Sequence, residues 1–252
     1  SLSALRSKHP LSLQSDILEN KNFDIHIVNA ADYIDLKRAA LAILKFAENP
    51  ILRTSASFII ALLGQKERPL LQLKAEAGKG GLIIVGSHVP KSTAQLAHLR
   101  KHNDLVEYEV DVRALLFKEP SIAARDLAQK IAAKYAAGKT CVLYTSREVI
   151  TTEGADANLD IAATVSGYLE EVVAALPSAP SFLLTKGGIT SSRIATESLG
   201  VKRAMALGQV QPGVPTWELG PESKFPGMPF IIFPGNVGGE NSLTSILQNT
   251  II

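Results

Sequence analysis

The chain has 252 residues, 46% of them hydrophobic, and its formal net charge is only +2. The interspersed acidic and basic residues argue against a nucleic-acid footprint or a membrane-surface patch, so neither is expected as a partner. A chain of this length holds either one large α/β domain or a domain of about 170 residues with a smaller piece. The single cysteine, Cys141, excludes an intrachain disulfide and a Cys-rich zinc site.

The sequence shows neither a membrane-spanning nor a signal-peptide pattern. No apolar run approaches the length of a membrane span, and the first residues lack a signal-peptide pattern. Cys141 lies in an apolar, strand-like run, which is typical of a buried structural thiol. These observations indicate a reducing, cytoplasmic setting. The chain also begins with Ser1 rather than methionine, which indicates a trimmed chain or a piece of a longer protein.

The N-terminal quarter predicts one strand and two helices. The strand covers residues 24–28, the first helix covers about 31–48, and the second runs from residue 54 or 55 to 63. Gly64 follows as a helix stop. The next stretch, 65–80, is punctuated by proline and clustered glycines, so we predict a domain boundary or linker there.

A regular alternation of strands and helices begins after this stretch. Strands are predicted over 82–85, 105–110, 140–145, 181–185 and 229–233, and helices from about 92, through 124–135, over 157–176, over 190–199 and from about 242. Such alternation is typical of an α/β fold with a doubly wound, mainly parallel sheet and helices on both faces. The first 64 residues would add a partial, smaller α/β segment.

Small and polar loops follow four of the predicted strands. They cover residues 86–90, 146–148, 186–190 and 234–239. The carboxyl ends of parallel strands meet at one edge of a sheet, so these loops are expected to gather there. Their backbone N–H groups, hydroxyls and one guanidinium suit the phosphates of a nucleotide better than acyl transfer or metal chemistry. No His and Cys spacing for a metal is present, and no Gly-x-Ser-x-Gly elbow occurs.

The run from Thr185 to Ser192 is the most informative of these loops. Its paired glycines join a buried-looking strand to a Ser/Thr-rich helix start. Such a turn brings backbone close to an anion, which the free N–H groups of the helix start can bind. The alternative is a tight turn in which Thr190 or Ser191 serves only as the helix N-cap. Local pattern leaves both interpretations open.

Three other positions have two interpretations each. His88 is a catalytic or a structural loop histidine, and Arg147 with Glu148 clamps a phosphate or forms an ion pair. Trp217 stacks on a base or packs in the core. By contrast, Gly138-Lys139-Thr140 only resembles a phosphate loop, because it joins a helix to a strand.

Four motifs resemble one known family. They are the Lys186–Ser192 run, Gly213-Val214-Pro215, Phe233–Gly238, and Gly86-Ser87 with the Pro90 to Leu96 stretch. The first three, in this order and spacing, are similar to motifs of the four-carbon acid sugar kinase family, and the fourth resembles the opening of that family's C-terminal, nucleotide-binding domain. The resemblance covers about residues 80–245. Residues 1–64 resemble the tail of the family's N-terminal domain, in the version fused into long eukaryotic polypeptides with class II aldolase-like modules.

The resemblance implies an ATP-dependent kinase that phosphorylates a four-carbon sugar acid such as threonate or erythronate. It also implies the nucleotide contacts, which are Ser87, Gly187, Gly188, Ile189, Thr190, Gly235, Asn236 and Gly238. Mg²⁺ is expected to accompany ATP, but the sequence does not identify its protein ligands. Amide-rich loops fit this chemistry, because phosphoryl transfer depends mostly on positioning and electrostatic stabilisation.

One departure from the family pattern is serious. The Asp-Asp-x-Thr-Gly motif that opens the family's N-terminal domain does not occur in this sequence. We therefore expect residues 1–64 to be an incomplete sugar-acid-binding domain, 65–80 a linker and 81–252 the nucleotide-binding domain. The catalytic base would lie in the missing segment, so the chain alone would bind ATP or ADP without efficient turnover. Apolar surface left uncovered by that segment would favour a homodimer.

Two other functional classes remain as alternatives. One is a non-catalytic binding or scaffold module of a fused metabolic enzyme, with a decayed nucleotide site. The other is a dinucleotide-dependent oxidoreductase, for which the sequence lacks a Gly-x-Gly-x-x-Gly motif after its first strand.

Overall fold

A computed structural model describes two compact units, Ser1–Arg68 and Pro69–Ile252. The residues it describes are 1–7, 9, 12, 25–44, 51–66, 68–74, 76–87, 89–102, 104–115, 120–147 and 155–250. The boundary between the units lies inside the 65–80 stretch.

The first unit is helical over its described residues. Its helices are α1 (Leu2–Ser7), α2 (Tyr33–Ile43) and α3 (Ala56–Leu62). Asp32 caps α2 by accepting a hydrogen bond from the N–H of Asp35 at 2.8 Å, as expected for an acidic N-cap. The unit's small core contains Leu5, Ala39, Ala40, Ala42 and Phe58.

The strand predicted over 24–28 is wrong for the residues that the structure describes. Residues 25–28 pair with no strand, and Ile25 and Ile27 are exposed. A β-branched run becomes a strand only when a neighbouring strand takes up its backbone groups. No such neighbour exists among the described residues of this unit, and residue 24 itself lies outside them.

The second unit is built on a seven-stranded sheet with the order β2-β3-β1-β4-β7-β6-β5. The pairings from β2 to β7 are parallel, and β6 pairs antiparallel with both β7 and β5. This confirms the predicted α/β fold with a mainly parallel sheet. The strands are β1 (Leu82–Val85), β2 (Val106–Val110), β3 (Cys141–Thr145), β4 (Leu183–Lys186), β5 (Ala204–Gln211), β6 (Val214–Leu219) and β7 (Pro229–Phe233).

Helices cover both faces of this sheet. They are α4 (Pro90–His102), α5 (Val112–Leu115), α6 (Pro120–Ala136), α7 (Ala155–Ala174), α8 (Gly188–Arg193), a π-helix (Ile194–Ser198) and α9 (Ser242–Gln248). Side chains of α4 and α9 pack with Ile83 and Val85 on one face. Those of α6, α7 and the π-helix pack with Leu82 and Ile84 on the other. Within the described ranges, no helix is long and apolar enough to cross a bilayer.

The opposite placement of these helices creates a crevice at β1. The loop after β1 leads to α4 on one face, whereas the neighbouring strands β3 and β4 lead to helices on the other face. In open α/β sheets, ligands bind where neighbouring connections diverge in this way. The carboxyl end of β1 is therefore the place to look for a site.

Two local predictions are also settled. Cys141 is a fully buried thiol, and burial raises its pKa to about 11, so it is a structural residue and not a nucleophile. The helix predicted over 190–199 instead begins at Gly188, and its second half is the π-helix.

Candidate functional site

The described residues of the four polar loops lie at one edge of the sheet, as predicted. β3, β1, β4 and β7 are consecutive and parallel in the sheet, so the segments that follow them leave from the same side. Direct hydrogen bonds join these loops in pairs. Lys186 Nζ donates to Pro234 O at 2.7 Å, and the Arg147 guanidinium donates to Ser87 O at 2.7 Å.

The turn between β4 and α8 leaves backbone donors unused. Its N-cap is Gly187, which has φ +118° and offers no side chain, so the N-cap role that the alternative interpretation gave to Thr190 or Ser191 is wrong. Ser191 lies inside the helix, where its hydroxyl is buried and donates to Gly187 O at 2.7 Å. The N–H groups of Gly188, Ile189 and Thr190 have no acceptor among the described residues.

A buried lysine fixes the loop that follows β7. Lys186 is fully buried, and its Nζ donates to Pro234 O at 2.7 Å and to Gly235 O at 3.0 Å. Nζ also lies 4.3 Å from the centre of the Phe233 ring. Burial, and secondarily the charge of Lys91, lowers the pKa of Lys186 to about 8. The amine therefore remains largely charged at neutral pH.

Lys91 extends this arrangement by one residue, since its Nζ donates to Asn236 O at 3.0 Å. Three successive carbonyls, those of Pro234, Gly235 and Asn236, thus face ammonium groups. In a trans peptide the N–H points opposite to the C=O, and no cis peptide occurs among the described residues. The N–H groups of the next residues therefore point away from the lysines.

The second half of the same loop rests on Gln95 of α4. This side chain is fully buried, and its Nε2 donates to Val237 O at 3.1 Å and to Gly239 O at 2.9 Å. Between them, Gly238 has φ +78°, and a Cβ there would lie only 2.3 Å from Ser242 Oγ. Only glycine fits this position without strain. The sequence motif thus needs Gly238 for the shape of the loop.

We expect Gly238→Ala to destabilise the second unit by about 2 kcal/mol or more, because positive φ and the overlap with Ser242 add to one another. Gly235→Ala is the matched control, since its Cβ meets no atom within 4 Å and its φ is not positive. Urea unfolding of both variants measures the difference. Equal stability of the two variants would contradict this view of the loop.

Arg147 lies between two strand ends, and both interpretations of Arg147 with Glu148 stay predictions. Its guanidinium donates to Thr145 O at 2.8 Å and to Ser87 O at 2.7 Å. It therefore joins the end of β3 to the end of β1, and burial lowers its pKa. Ser87 is thereby held at the site, with its hydroxyl accepting a weak bond from Val89 N–H at 3.4 Å. His88 and Glu148 lie outside the described residues.

Five of the eight predicted contact residues fall into two groups. Gly188 and Gly235 border open space, and the Ile189 side chain is 77% exposed, so all three face the solvent side of the site. Gly187 and Gly238 instead shape the backbone through positive φ. Among the described residues, no group of three His, Cys, Asp or Glu side chains could hold a metal ion.

Sequence reasoning missed the anchors Lys91 and Gln95 and gave no role to Lys186. One signal was present: Gln95 stands beside Leu96 on the apolar face of a helix, where a polar residue needs a partner. The identity of that partner depends on the tertiary fold.

A cavity of about 570 Å³ opens beside Gly188. It lies between the helix of residues 188–198 and the β5–β6 hairpin, and Trp217 forms part of its wall. Trp217 is half-buried and packs against Phe230, with ring centres 6.4 Å apart. The indole thus both packs against the core and borders a cavity.

Fold and loops together define a nucleotide-binding α/β domain. Residues 82–243 match the family model described as a nucleotide-binding C-terminal domain, which covers well over half of the chain. The chain belongs to this family, and its structural neighbours include members of the DUF1537 family, which is the four-carbon acid sugar kinase family. This confirms the resemblance found in the sequence.

Solved structures support the same fold. A Haemophilus influenzae DUF1537 protein, HI1011, is 20% identical with a TM-score of 0.67, and a Salmonella typhimurium LT2 protein is 17% identical with a TM-score of 0.69. A Bordetella bronchiseptica DUF1537 protein, a domain-swapped dimer with bound citrate, is 18% identical with a TM-score of 0.56. Each match covers 98% of this chain but only 57–58% of the other. No curated protein matches the chain.

Proposed function

We propose that the chain is the nucleotide-binding part of an ATP-dependent kinase for a four-carbon sugar acid of the threonate or erythronate type. The observation that carries the proposal is the loop cluster, in which Lys186 holds the carbonyls of Pro234 and Gly235 and Lys91 holds that of Asn236, so that the N–H groups of the following residues point away from the ammonium groups. Together with the N–H groups of Gly188, Ile189 and Thr190, which have no acceptor among the described residues, this loop forms a preformed anion cradle.

In this proposal each group has a simple electrostatic task. The outward N–H groups hold phosphate oxygens, and the buried charge of Lys186 beside Lys91 makes the local potential positive. Ser87, held in place by Arg147, borders the same crevice. Mg²⁺ bound with the nucleotide would neutralise phosphate charge. Such fixed donors position the phosphates without reorganising.

The chain alone is proposed to be catalytically incomplete. The family resemblance implies that the Asp-Asp-x-Thr-Gly motif contributes to the catalytic site. This motif does not occur in the sequence of the chain. The chain also spans only 57–58% of its structural neighbours. We therefore assign sugar-acid phosphorylation to the longer parent and nucleotide binding to this chain.

The first unit is proposed to associate with a further protein segment or with a second copy. Its exposed apolar side chains, among them Ile34 at 67% and Leu63 at 62%, support an additional contact surface. The domain-swapped dimer of the Bordetella protein is compatible with a homodimer. Sedimentation of the chain as a monomer would contradict the homodimer.

A thermal unfolding series with ATP tests the central proposal. ATP with Mg²⁺ at about 100 times its Kd should add about 2.7 kcal/mol to the free energy of unfolding, whereas NADH should add nothing. Threonate and ATP should give no product with this chain alone. An unchanged Tm would instead favour a scaffold module with a decayed nucleotide site. Measurable phosphorylation of threonate by this chain alone would contradict the assignment of that reaction to the longer parent.

A further inference from the structure

Phosphate binding by the loops assigns no ligand to the cavity beside Gly188. Its floor consists of Pro215, Trp217 and Ile232, which lie on the sheet face that carries α6, α7 and the π-helix. Its opposite wall includes Ala195 and Thr196 of the π-helix. The cavity is thus flat and apolar on one side and lined by small side chains on the other.

The position of the cavity links it to the phosphate loops. Gly188, whose N–H is one of the free donors, also lines the cavity. Ile232 is the last residue but one of β7, so only Phe233 separates it from Pro234, whose carbonyl accepts from Lys186. Pro215, near the start of β6, lies on the neighbouring strand at the same edge, since Thr216 pairs with Ile231. A ligand held by the loops therefore has this cavity as its immediate neighbour.

The walls of the cavity are held in place by their own contacts. Glu222 Oε1 accepts hydrogen bonds from the N–H groups of Lys202 and Arg203, at 3.1 and 2.8 Å, which fixes one rim. On the opposite rim, Thr196 Oγ1 donates to Ser192 O at 3.0 Å. A π-helical turn is uncommon and often occurs at functional sites. Here it contributes Thr196 to the cavity wall.

We propose that this cavity receives the aromatic base and the sugar of the nucleotide, with the base against the indole of Trp217. The inference rests on the proposed function, because it assigns the remainder of the ligand whose phosphates the loops hold. A volume of about 570 Å³ is in the range of small-molecule sites. Base–aromatic stacking is tolerant of base identity, and Lys202 and Arg203 at the rim suit a polyanionic ligand.

Trp217 gives a direct readout, because it is the only tryptophan of the chain. ADP should change its fluorescence in a saturable way, with the Kd found by calorimetry. Inorganic tripolyphosphate carries no base and should bind without that change. ADP that binds calorimetrically while leaving the emission of Trp217 unaltered would overturn the base assignment and leave phosphate binding intact.

A blocking substitution provides the second test. Thr196→Tyr places a ring in the cavity from an exposed position, so the fold should tolerate it. We expect ADP affinity to fall at least tenfold while tripolyphosphate affinity stays within twofold. Glu197→Tyr is the matched control, because the neighbouring Glu197 is exposed and does not line the cavity. It should leave both affinities nearly unchanged.

The outcomes separate the two levels of the proposal. Equal ADP affinity in Thr196→Tyr and the unmodified chain would place the base elsewhere and overturn the inference alone. Failure of both ADP and tripolyphosphate to bind the unmodified chain would overturn the proposed function and the inference with it. Loss of both ligands in Thr196→Tyr, with normal unfolding, would show that the substitution acts on the phosphate loops and would contradict a separate base cavity.

Discussion

Replacing Gly188 with aspartate is expected to abolish nucleotide binding while the chain stays folded. Gly188 borders open space, its φ is not positive, and a Cβ added there meets no atom within 4 Å. The new carboxylate would therefore cost little in stability. It would place a negative charge where the free N–H groups of residues 188–190 face the proposed phosphates. A loss of at least a hundredfold in ATP affinity is expected, measured by calorimetry.

Two further substitutions of Gly188 separate the effect of charge on ATP affinity from the effect of side-chain volume. Gly188→Asn has nearly the size of aspartate without its charge and should lose about tenfold in affinity. Gly188→Ala adds only a methyl group in open space and should lose less than that. If Gly188→Asp bound ATP as well as Gly188→Ala, the phosphates could not lie at this loop.

Replacing Lys186 with methionine is expected to weaken nucleotide binding strongly while it lowers the free energy of unfolding only moderately. Methionine keeps the buried stem but leaves Pro234 O and Gly235 O without donors, at a cost of about 1–3 kcal/mol each. Against this, removing a buried charge returns about 3 kcal/mol, the equivalent of a pKa lowered from 10.5 to about 8. These contributions nearly offset each other, so the free energy of unfolding should fall by no more than about 3 kcal/mol.

The loss of nucleotide affinity in Lys186→Met should be much larger. The variant removes a buried positive charge next to the anchored loop and frees the backbone of residues 234 and 235 to rearrange, so at least a hundredfold weaker ATP binding is expected. Lys91→Met is the matched control, because Lys91 is exposed and makes a single bond to Asn236 O. It should lose about tenfold or less. Equal losses in the two variants would contradict an anchoring role specific to Lys186.

The pKa of Lys186 also predicts a pH dependence. Between pH 8 and 10.5 the folded chain has lost a proton that the unfolded chain still holds, so the contribution of Lys186 to the free energy of unfolding rises with pH there. Below pH 8 that contribution is constant. ATP affinity should change in the opposite sense and fall above pH 8, as the ammonium becomes neutral. Lys186→Met should lose both dependences in pH titrations of unfolding and of binding.

The sequence predicts the site where local pattern and chain order are enough. Each buried strand ends at small, polar residues, and parallel strands share an edge, so Gly86, Gly187 and Pro234 are placed together before any contact is known. The glycines of the 187–188 and 235–238 segments are likewise marked, because few other residues suit tight backbone turns. Family resemblance and physical pattern agree on this part of the chain.

The remainder depends on contacts between residues distant along the chain. Gln95 supports residues more than 140 positions away, and Lys186 bonds to carbonyls nearly 50 positions away. Neither link has a local signature. The run at 25–28 shows the converse, since its strand-like pattern lacks a pairing partner among the described residues. Packing of Trp217 in the core, one of its two interpretations, is confirmed, and only the fold shows that the indole also borders a cavity.

The central claim is that this chain binds a nucleotide through the loops at the carboxyl edge of its sheet. Calorimetric titration of the unmodified chain with Mg·ATP tests it most directly. The account predicts binding of one nucleotide per chain, with a Kd in the micromolar-to-millimolar range, that Gly188→Asp abolishes. The absence of any binding heat at several temperatures, or equal binding by Gly188→Asp, would contradict it.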